Sequence, residues 1–363
     1  MTLKQTALDQ IHIDLGAVMT DFAGWNMPLR YGSETQEHLL VRTDCGLFDL
    51  SHMGEIWVEG EDAARFLDFA LVGELSKVAI GRARYTMICN ESGNVIDDLV
   101  VYRIEVNVFM VVANASNVQI VFSELSARNQ GFACTVKDLS ESTALIAVQG
   151  PSAVKIVSQV FPKTNFSELK NYGWCLSNQD ELHVILARTG YTGEDGFEIF
   201  LDLKDAVGLW QKLIDFGAKP AGLACRDTLR LEAGMPLYGH ELDLQTNPIE
   251  AGLGRVIAFG KSIDFIGKSA LAQIAESSTK RNLVGITLET RRIARAGFNL
   301  INKDGEIVGQ ITSGAFSPTL NKSIAMAYLD RNIDAQLDTL SVDIRGTNEL
   351  ATLVPLPFYQ RKK

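Results

Sequence analysis

Residues 85–114, YTMICNESGNVIDDLVVYRIEVNVFMVVAN, decide what kind of fold the chain adopts. They hold three runs rich in β-branched and aromatic residues, at 85–90, 95–102 and 108–113. Glu91-Ser92-Gly93-Asn94 separates the first two with residues that tolerate positive φ. The expectation is a β-meander with a carboxylate pair, Asp97-Asp98, inside its middle strand. Successive side chains on a strand point to opposite faces. Asp97 then goes with Val95, Leu99 and Val101, and Asp98 with Ile96, Val100 and Tyr102. On extended backbone the two acids do not form a proton-sharing dyad, and Asp97 is a neighbour on the other face. With 91–94 as the loop, Asn90 opposes Val95 and Tyr85 opposes Val100, so Tyr85 joins the face of Asp98. One carboxylate with two tyrosines suits a flat polar heterocycle, the acid taking a hydrogen bond or stabilising a cation. The same acid fits a solvent-facing position or one satisfied by backbone amides, and this segment alone does not separate the readings.

Outward from the meander, strand-like runs alternate with amphipathic helical ones. Residues 34–41 and 61–69 have helical spacing, and the second places Ala63, Phe66, Leu67 and Ala70 together. A helix over 117–128 is expected next, then strands near 143–149 and 182–188. Asn247-Pro248 has the marks of a helix start: a capping asparagine, a proline at the first helical position, and Glu250 as the capping-box acid. Residues 261–266 and 276–280 read as surface connections. After Arg281 come short strands broken by glycine, at 283–288, 298–301, 307–312, 324–328 and 340–344. They predict a small all-β domain, a barrel or jelly roll, with its boundary between 276 and 281.

Three other stretches carry candidate chemistry. Residues 188–198, RTGYTGEDGFE, put three glycines in a loop that another group can approach closely. It matches neither a Walker loop nor GxGxxG. A strand from Phe197 would follow, on which Glu198 could accept two hydrogen bonds side by side from an amino-pyrimidinone edge, or stand exposed. Residues 220–232, PAGLACRDTLRLE, put Arg226 where a loop gives way to a helix that includes Arg230 and Glu232. Arg226 could hold a carbonyl or carboxylate, or pair with Asp227 or Glu232. Residues 22–29 and 49–55 read as mostly structural: Ser51-His52 is not a hydrolase triad, and no GxSxG elbow is present.

A length of 363 residues suggests two or three domains at roughly 100–200 residues each. The net charge of −10 argues against nucleic acid as the main ligand. Arg291, Arg292 and Arg295, and Arg361-Lys362-Lys363, could receive a small anion or simply face solvent. Five cysteines without a CxxC pair argue against a disulfide framework and a thiolate zinc site, and fit a reducing compartment. Five histidines without HExxH predict no metal site. Residues 1–15 lack the layout of a signal or transit peptide, and no run reaches the ~18 apolar residues of a membrane span. The expectation is a cytoplasmic protein with no membrane segment.

Eight segments together carry a resemblance: FAGWNMPLRY (22–31), DLSHMGE (49–55), NVIDDLVVYR (94–103), ALIAVQGPSA (144–153), RTGYTGEDGFE (188–198), PAGLACRDTLRLEAGMPLYGHEL (220–242), TNPIEAGL (246–253) and ITSGAFSPTLNKSIAMAYL (311–329). In this order, over residues 6–359, the chain resembles the T-protein family of the glycine cleavage system, the aminomethyltransferases. The resemblance implies an α+β fold of three domains in a cloverleaf around a central folate channel, with a C-terminal small β-barrel or jelly-roll domain. Residues 1–278 would form the folate-binding region, as two interleaved α+β subdomains: 1–54 plus about 150–278, and about 55–149. Residues 279–363 would form the barrel. It implies transfer of the methylene carbon of an aminomethyl group, carried on the lipoyl arm of the H-protein, to tetrahydrofolate as co-substrate. The products would be 5,10-methylenetetrahydrofolate, ammonia and the dihydrolipoyl carrier. The catalytic aspartate falls on Asp98, and folate contacts on Tyr85, Tyr102, Asn114, Tyr191, Glu198, Arg226 and Tyr359. Gln360 stands where some relatives carry a basic residue, a role Arg361 would take. Two other readings are a folate-dependent demethylase, whose fused forms carry a flavin domain, and a non-catalytic folate-binding maintenance protein, whose cysteine signature is not found.

Overall fold

A computed structural model describes residues 2–179, 181–277, 279–331, 333 and 339–361. Lys362 and Lys363 of the expected basic cluster lie outside the described residues. Two antiparallel-dominated sheets face each other, each with helices on its outer side, and a closed barrel stands beside them. The five-stranded sheet has the order Arg82–Cys89, Val95–Glu105, Val108–Ala113, Gly54–Glu59, Thr135–Asp138. Its first three strands are the expected meander. The six-stranded sheet runs Trp174–Gln179, Leu182–Ala187, Gly196–Asp202, Thr143–Gln149, Gly46–Asp49, Lys219–Pro220, with only the last pair parallel.

Strand parity builds both cores. Along Gly196–Asp202, Phe197, Ile199 and Leu201 pack with Trp210 and the helices Ala153–Val160 and Ala206–Asp215, while Phe200 faces the other sheet. Along Val95–Glu105, Leu99 and Val101 pack under the helices Ala63–Ala70 and Val118–Arg128, while Val100 and Tyr102 face the six-stranded sheet. The layer between the sheets therefore receives Phe48, Leu145 and Phe200 from one side and Tyr102 and Met110 from the other. The same parity sends Glu198 and Asp98 towards that layer. The strand Thr143–Gln149, expected within the 55–149 subdomain, pairs with Gly46–Asp49 and Gly196–Asp202 in the six-stranded sheet. Its Ala144, Ile146 and Val148 complete that sheet's outer core.

The barrel is closed by six strands: Arg281–Leu288, Lys322–Asp330, Ile307–Ser317, Asn299–Ile301, Leu340–Ile344 and Thr347–Val354, the last pairing back to the first. Thr347–Val354 is not expected from the sequence. Its inward side offers Ala351 and a partly buried Leu353 after Glu349, a short apolar signal. Two other expectations change. Asn247 Oδ1 does cap, accepting from Ile249 N and Glu250 N at 3.0 Å. Gly252, at φ +71°, ends the coil after one turn, and Glu250 turns to Arg281 at 3.4 Å instead of back to the cap. Residues 261–266 are not a surface connection: Lys261 and Phe265 are buried, and Lys261 Nζ donates to Leu71 O at 2.5 Å and Gly73 O at 2.8 Å. Beyond them the helix Lys268–Ser277 occupies part of the expected 276–280 connection.

Candidate active site

The meander's register sets the first contacts. Tyr85 opposes Val100, as expected, but Cys89 rather than Asn90 opposes Val95. Ile96 is the extra residue of a bulge, and the loop is residues 90–94, closed by Asn94 N donating to Asn90 Oδ1 at 3.0 Å. Tyr85 therefore lies diagonally across from Asp98, within reach of a long side chain. Its hydroxyl donates to Asp98 Oδ2 at 3.0 Å. Burial, then the Asp98 charge, raise the Tyr85 phenol well above its ordinary range, so it stays a donor.

Asp97 is fully buried, and its separation from Asp98 is not what alternation alone suggests. Asn114 follows the strand Val108–Ala113, and its Nδ2 donates to Asp97 Oδ1 and to Asp98 Oδ1, both at 2.8 Å. Asp97 also accepts from Asn114 N at 3.0 Å and Asn117 Nδ2 at 2.8 Å. Burial raises both carboxyls, and the Asp98 charge raises Asp97 further. Both shifts favour the neutral form, while the hydrogen bonds from Tyr85, Asn114 and Asn117 oppose them in favour of the charged one. Asp97 is thus tied to Asp98 through an amide rather than being an independent neighbour on the far face.

Across the layer, Tyr102 OH lies 3.1 Å from Thr189 Oγ1 and 3.4 Å from Glu198 Oε2, and Thr189 Oγ1 donates to the same carboxylate oxygen. Burial, then Glu198, raise the Tyr102 phenol. Tyr191 donates to Pro236 O, and the Arg226 guanidinium lies 4.9 Å from its ring centroid. Asp98 is among the charges that raise the Tyr191 phenol, after burial. Arg226 enters from the helix Leu223–Glu232 and makes neither ion pair that the sequence allowed. Asp227 and Glu232 go instead to Arg230 and Arg42. Burial lowers the Arg226 guanidinium, and its Nη1 is buried with no partner. Among the expected site residues it alone has such an orphaned polar atom, a donor that a ligand carbonyl or carboxylate would satisfy.

The glycine loop wraps a side chain. Gln149 Nε2 donates to Thr189 O at 3.0 Å and its Oε1 accepts from Thr192 Oγ1 at 2.9 Å. A Cβ on Gly190 or Gly196 would strike that amide. Tyr359 stands apart from Asp98. Its ring covers Arg42 at 4.1 Å, and its backbone N donates to Glu232 O at 2.8 Å. Arg361 pairs with Asp195 at 3.5 Å, beside Arg188, and so does not join Tyr359. The Arg291 and Arg292 side chains are spent on Phe316 and Glu349.

Sequence reasoning missed four participants. Tyr172, at φ +57°, has its phenol raised by burial and then by the nearby Glu198 charge. The Tyr238 phenol is raised by burial first and then by the charges of Asp97, Asp243 and Asp98. His52, read as structural, packs edge-on to Phe22 at 5.3 Å; burial foremost, and the Arg226 charge, push its imidazole down to about 4. Arg42 is the fourth. None had a local signal, because each depends on which chain segment packs against it. The Asp49–Ser51 part of the same stretch is structural: Asp49 accepts from Thr6 Oγ1 at 2.7 Å and Ser51 N at 2.9 Å. A separate cavity of ≈ 610 Å³ beside Arg82, Lys163, Lys170 and Trp174 contains none of the expected site residues. Among the described residues no three His, Cys, Asp or Glu side chains form a metal-binding group.

Comparison with known proteins gives consistent matches. Residues 8–261 match the family described as the GCVT N-terminal domain, and 281–360 match the glycine cleavage T-protein C-terminal barrel domain. The chain is 52% identical to an aminomethyltransferase of Streptomyces avermitilis over 99% of its own length and 98% of the relative's. It is 43% identical to an aminomethyltransferase of Pseudothermotoga lettingae, again over 99% and 98%. The crystal structure of the glycine cleavage system aminomethyltransferase T of Bartonella henselae superposes with a TM-score of 0.92 at 37% identity, covering 99% of this chain and 98% of that one.

Proposed function

The chain belongs to the glycine cleavage T-protein family, and from that premise we infer that it is an aminomethyltransferase acting on tetrahydrofolate and the lipoyl-bearing H-protein. It moves the methylene carbon of the aminomethyl group from the lipoyl sulfur to the folate, releasing ammonia and the reduced carrier. The observation that carries the site assignment is the half-buried Asp98, held by Tyr85 and Asn114 and facing the same layer as Glu198. As ammonia leaves, positive charge develops on the methylene. The Asp98 carboxylate, held by Tyr85 and Asn114, is preorganised to stabilise that cation and to orient the folate ring nitrogens. It can also take a proton from an attacking nitrogen.

In this reading Glu198 reads the amino-pyrimidinone edge, aligned by Thr189 and Tyr102. Arg226 gives its unpaired Nη1 to a folate carbonyl or carboxylate, and Tyr85, Tyr102 and Tyr191 supply stacking surface and hydroxyls. Asn114 holds the acid pair, and Tyr359 covers the glycine loop from the C-terminal side. We also read residues 1–278 as the folate-binding region, with subdomains 1–54 plus about 143–278 and about 55–142, since the strand Thr143–Gln149 pairs within the six-stranded sheet, and 279–363 as the barrel. The five free cysteines support a cytoplasmic site of action. Among the described residues no helix is long and apolar enough to cross a membrane.

The test mixes the protein with aminomethylated lipoyl carrier and tetrahydrofolate and measures methylenetetrahydrofolate and ammonia. Asp98→Asn is expected to keep folate binding and lose transfer by roughly 10² or more. Near-wild-type turnover in that variant would sink the assignment of Asp98.

A further inference from the structure

Arg42 lies on the helix Glu34–Thr43, and its side chain is only 4% exposed. All five of its N–H donors are spent. Nε and one Nη2 hydrogen go to Glu232 Oε2, at 3.0 and 2.8 Å, and the other Nη2 hydrogen to Leu229 O at 3.3 Å. Nη1 donates to Thr192 O at 2.7 Å and Glu194 Oε1 at 2.9 Å, both in the glycine loop. Its flat face lies 4.1 Å from the Tyr359 ring centroid. Glu232 is gripped in turn by the barrel, where Ser317 Oγ donates to Oε1, as does Thr319 N at 3.3 Å; His38 Nε2, on the same helix as Arg42, stands 3.1 Å away. One guanidinium thus joins the loop that carries Tyr191, the helix that carries Arg226, and the chain segment after the barrel.

We propose that Arg42 is a positioning residue for the folate site: it holds the glycine loop and the Tyr359 segment in one arrangement, through a carboxylate that the barrel also grips. The proposal rests on the folate-binding reading above. A structural ion pair would need only the two contacts to Glu232. The remaining three donors and the ring face are all directed at segments flanking expected ligand contacts. Lysine cannot replace this geometry, having three donors on a point charge and no flat face.

The experiment uses the full chain with Arg42→Lys, and Glu194→Gln as a milder second variant that leaves the Glu232 pair intact. Arg128→Lys is the control, a mostly buried arginine tied to Ala70 O, Cys89 O and Glu124, none of them an expected ligand contact. Hydrogen exchange on ligand-free protein is expected to speed up about tenfold or more in residues 190–196 and 356–361 together, with 108–113 unchanged. In the transfer assay the KM for tetrahydrofolate should rise about tenfold with kcat within threefold. The control should lower the melting temperature and leave that KM unmoved. Unchanged exchange in the loop and tail, or an equal KM rise in the control, overturns the proposal. If the wild-type protein transfers no aminomethyl group, the functional reading fails instead, and the exchange result still decides the role of Arg42. If Arg42→Lys does not fold, Glu194→Gln decides by the same two readouts.

Discussion

Asp97 and Asp98 point to opposite faces of one strand, yet a single amide, Asn114 Nδ2, donates to both. Removing either acid disturbs the other through that amide. Asp97→Asn should therefore cost about tenfold in kcat/KM, by loosening Asn114, against the larger loss for Asp98→Asn. Steady-state kinetics on the two variants side by side checks the order. Equal losses would mean that Asp97 acts on substrate directly. The glycine loop offers a second test at this scale. A Cβ at Gly190 meets only the Gln149 side chain, whereas one at Gly196 also meets Val148 O at 2.6 Å. Each alanine variant should lose about 1–3 kcal/mol by overpacking. Adding Gln149→Ala should rescue Gly190→Ala in part and leave Gly196→Ala unrescued, because a backbone oxygen cannot be trimmed away. Denaturant midpoints of the four variants report the coupling.

The helix Leu223–Glu232 is the element that joins site and barrel. Gly222 at its start passes so close to Leu29 O that a side chain there would collide. Arg226 then faces the site, and Arg230 donates to Glu241 at 3.0 Å and to Ser313 of the barrel at 2.7 Å. Glu232 closes the series. Burial opposes its ionisation, but His38, Ser317 and Arg42 outweigh this and hold its carboxyl down to about 2. Its folded value is depressed, so its contribution is present above its ordinary 4.5 and is lost as pH falls through about 2, worth on the order of 3 kcal/mol. Glu232→Gln should be less stable near neutrality and flatter between these pH values, a difference that denaturation at a series of pH values measures. A parallel case is Lys261, which burial depresses to about 8 and which ties the turn at Leu71 and Gly73. Lys261→Met should lose about 2 kcal/mol or more, since two buried carbonyls are left unpaired. An unchanged denaturation midpoint would count against that role.

At the scale of the whole molecule, the site is a consequence of two sheets sharing one layer. Phe200 lies in that layer, edge-on to Tyr102 with ring centroids 5.4 Å apart. Trp210, fully buried, lies on the outer side of the same six-stranded sheet. Both Phe200→Ala and Trp210→Ala should cost about 3–5 kcal/mol. Only Phe200→Ala should also lower kcat/KM per folded molecule, because Tyr102 loses the ring that orients it above Glu198. Comparable kinetics in the two folded variants would show that the layer does not set the site.

Much of this was legible in the chain itself. The alternation in 95–102 places Asp98 on the face of Tyr102, and the pairing of Tyr85 with Val100 survives a longer loop because a bulge at Ile96 absorbs the extra residue. The three glycines of 188–198 announce a close approach, and the glycine-broken strands after Arg281 announce a barrel. These features are local: period-two alternation, turn chemistry and missing Cβ atoms act within a few residues. What approaches the glycines, however, is Gln149, from another strand. The link between the two acids runs through Asn114, and Arg42 gathers the loop, a helix and the chain segment after the barrel. Those contacts exist only once the two sheets and the barrel are packed, because each joins groups far apart in sequence whose meeting no local pattern encodes. The sequence by itself determined the strands, their faces and the polar residues offered to the inner layer; the tertiary structure decided which of those residues meet, which carry an unspent hydrogen bond, and how the acid pair is held.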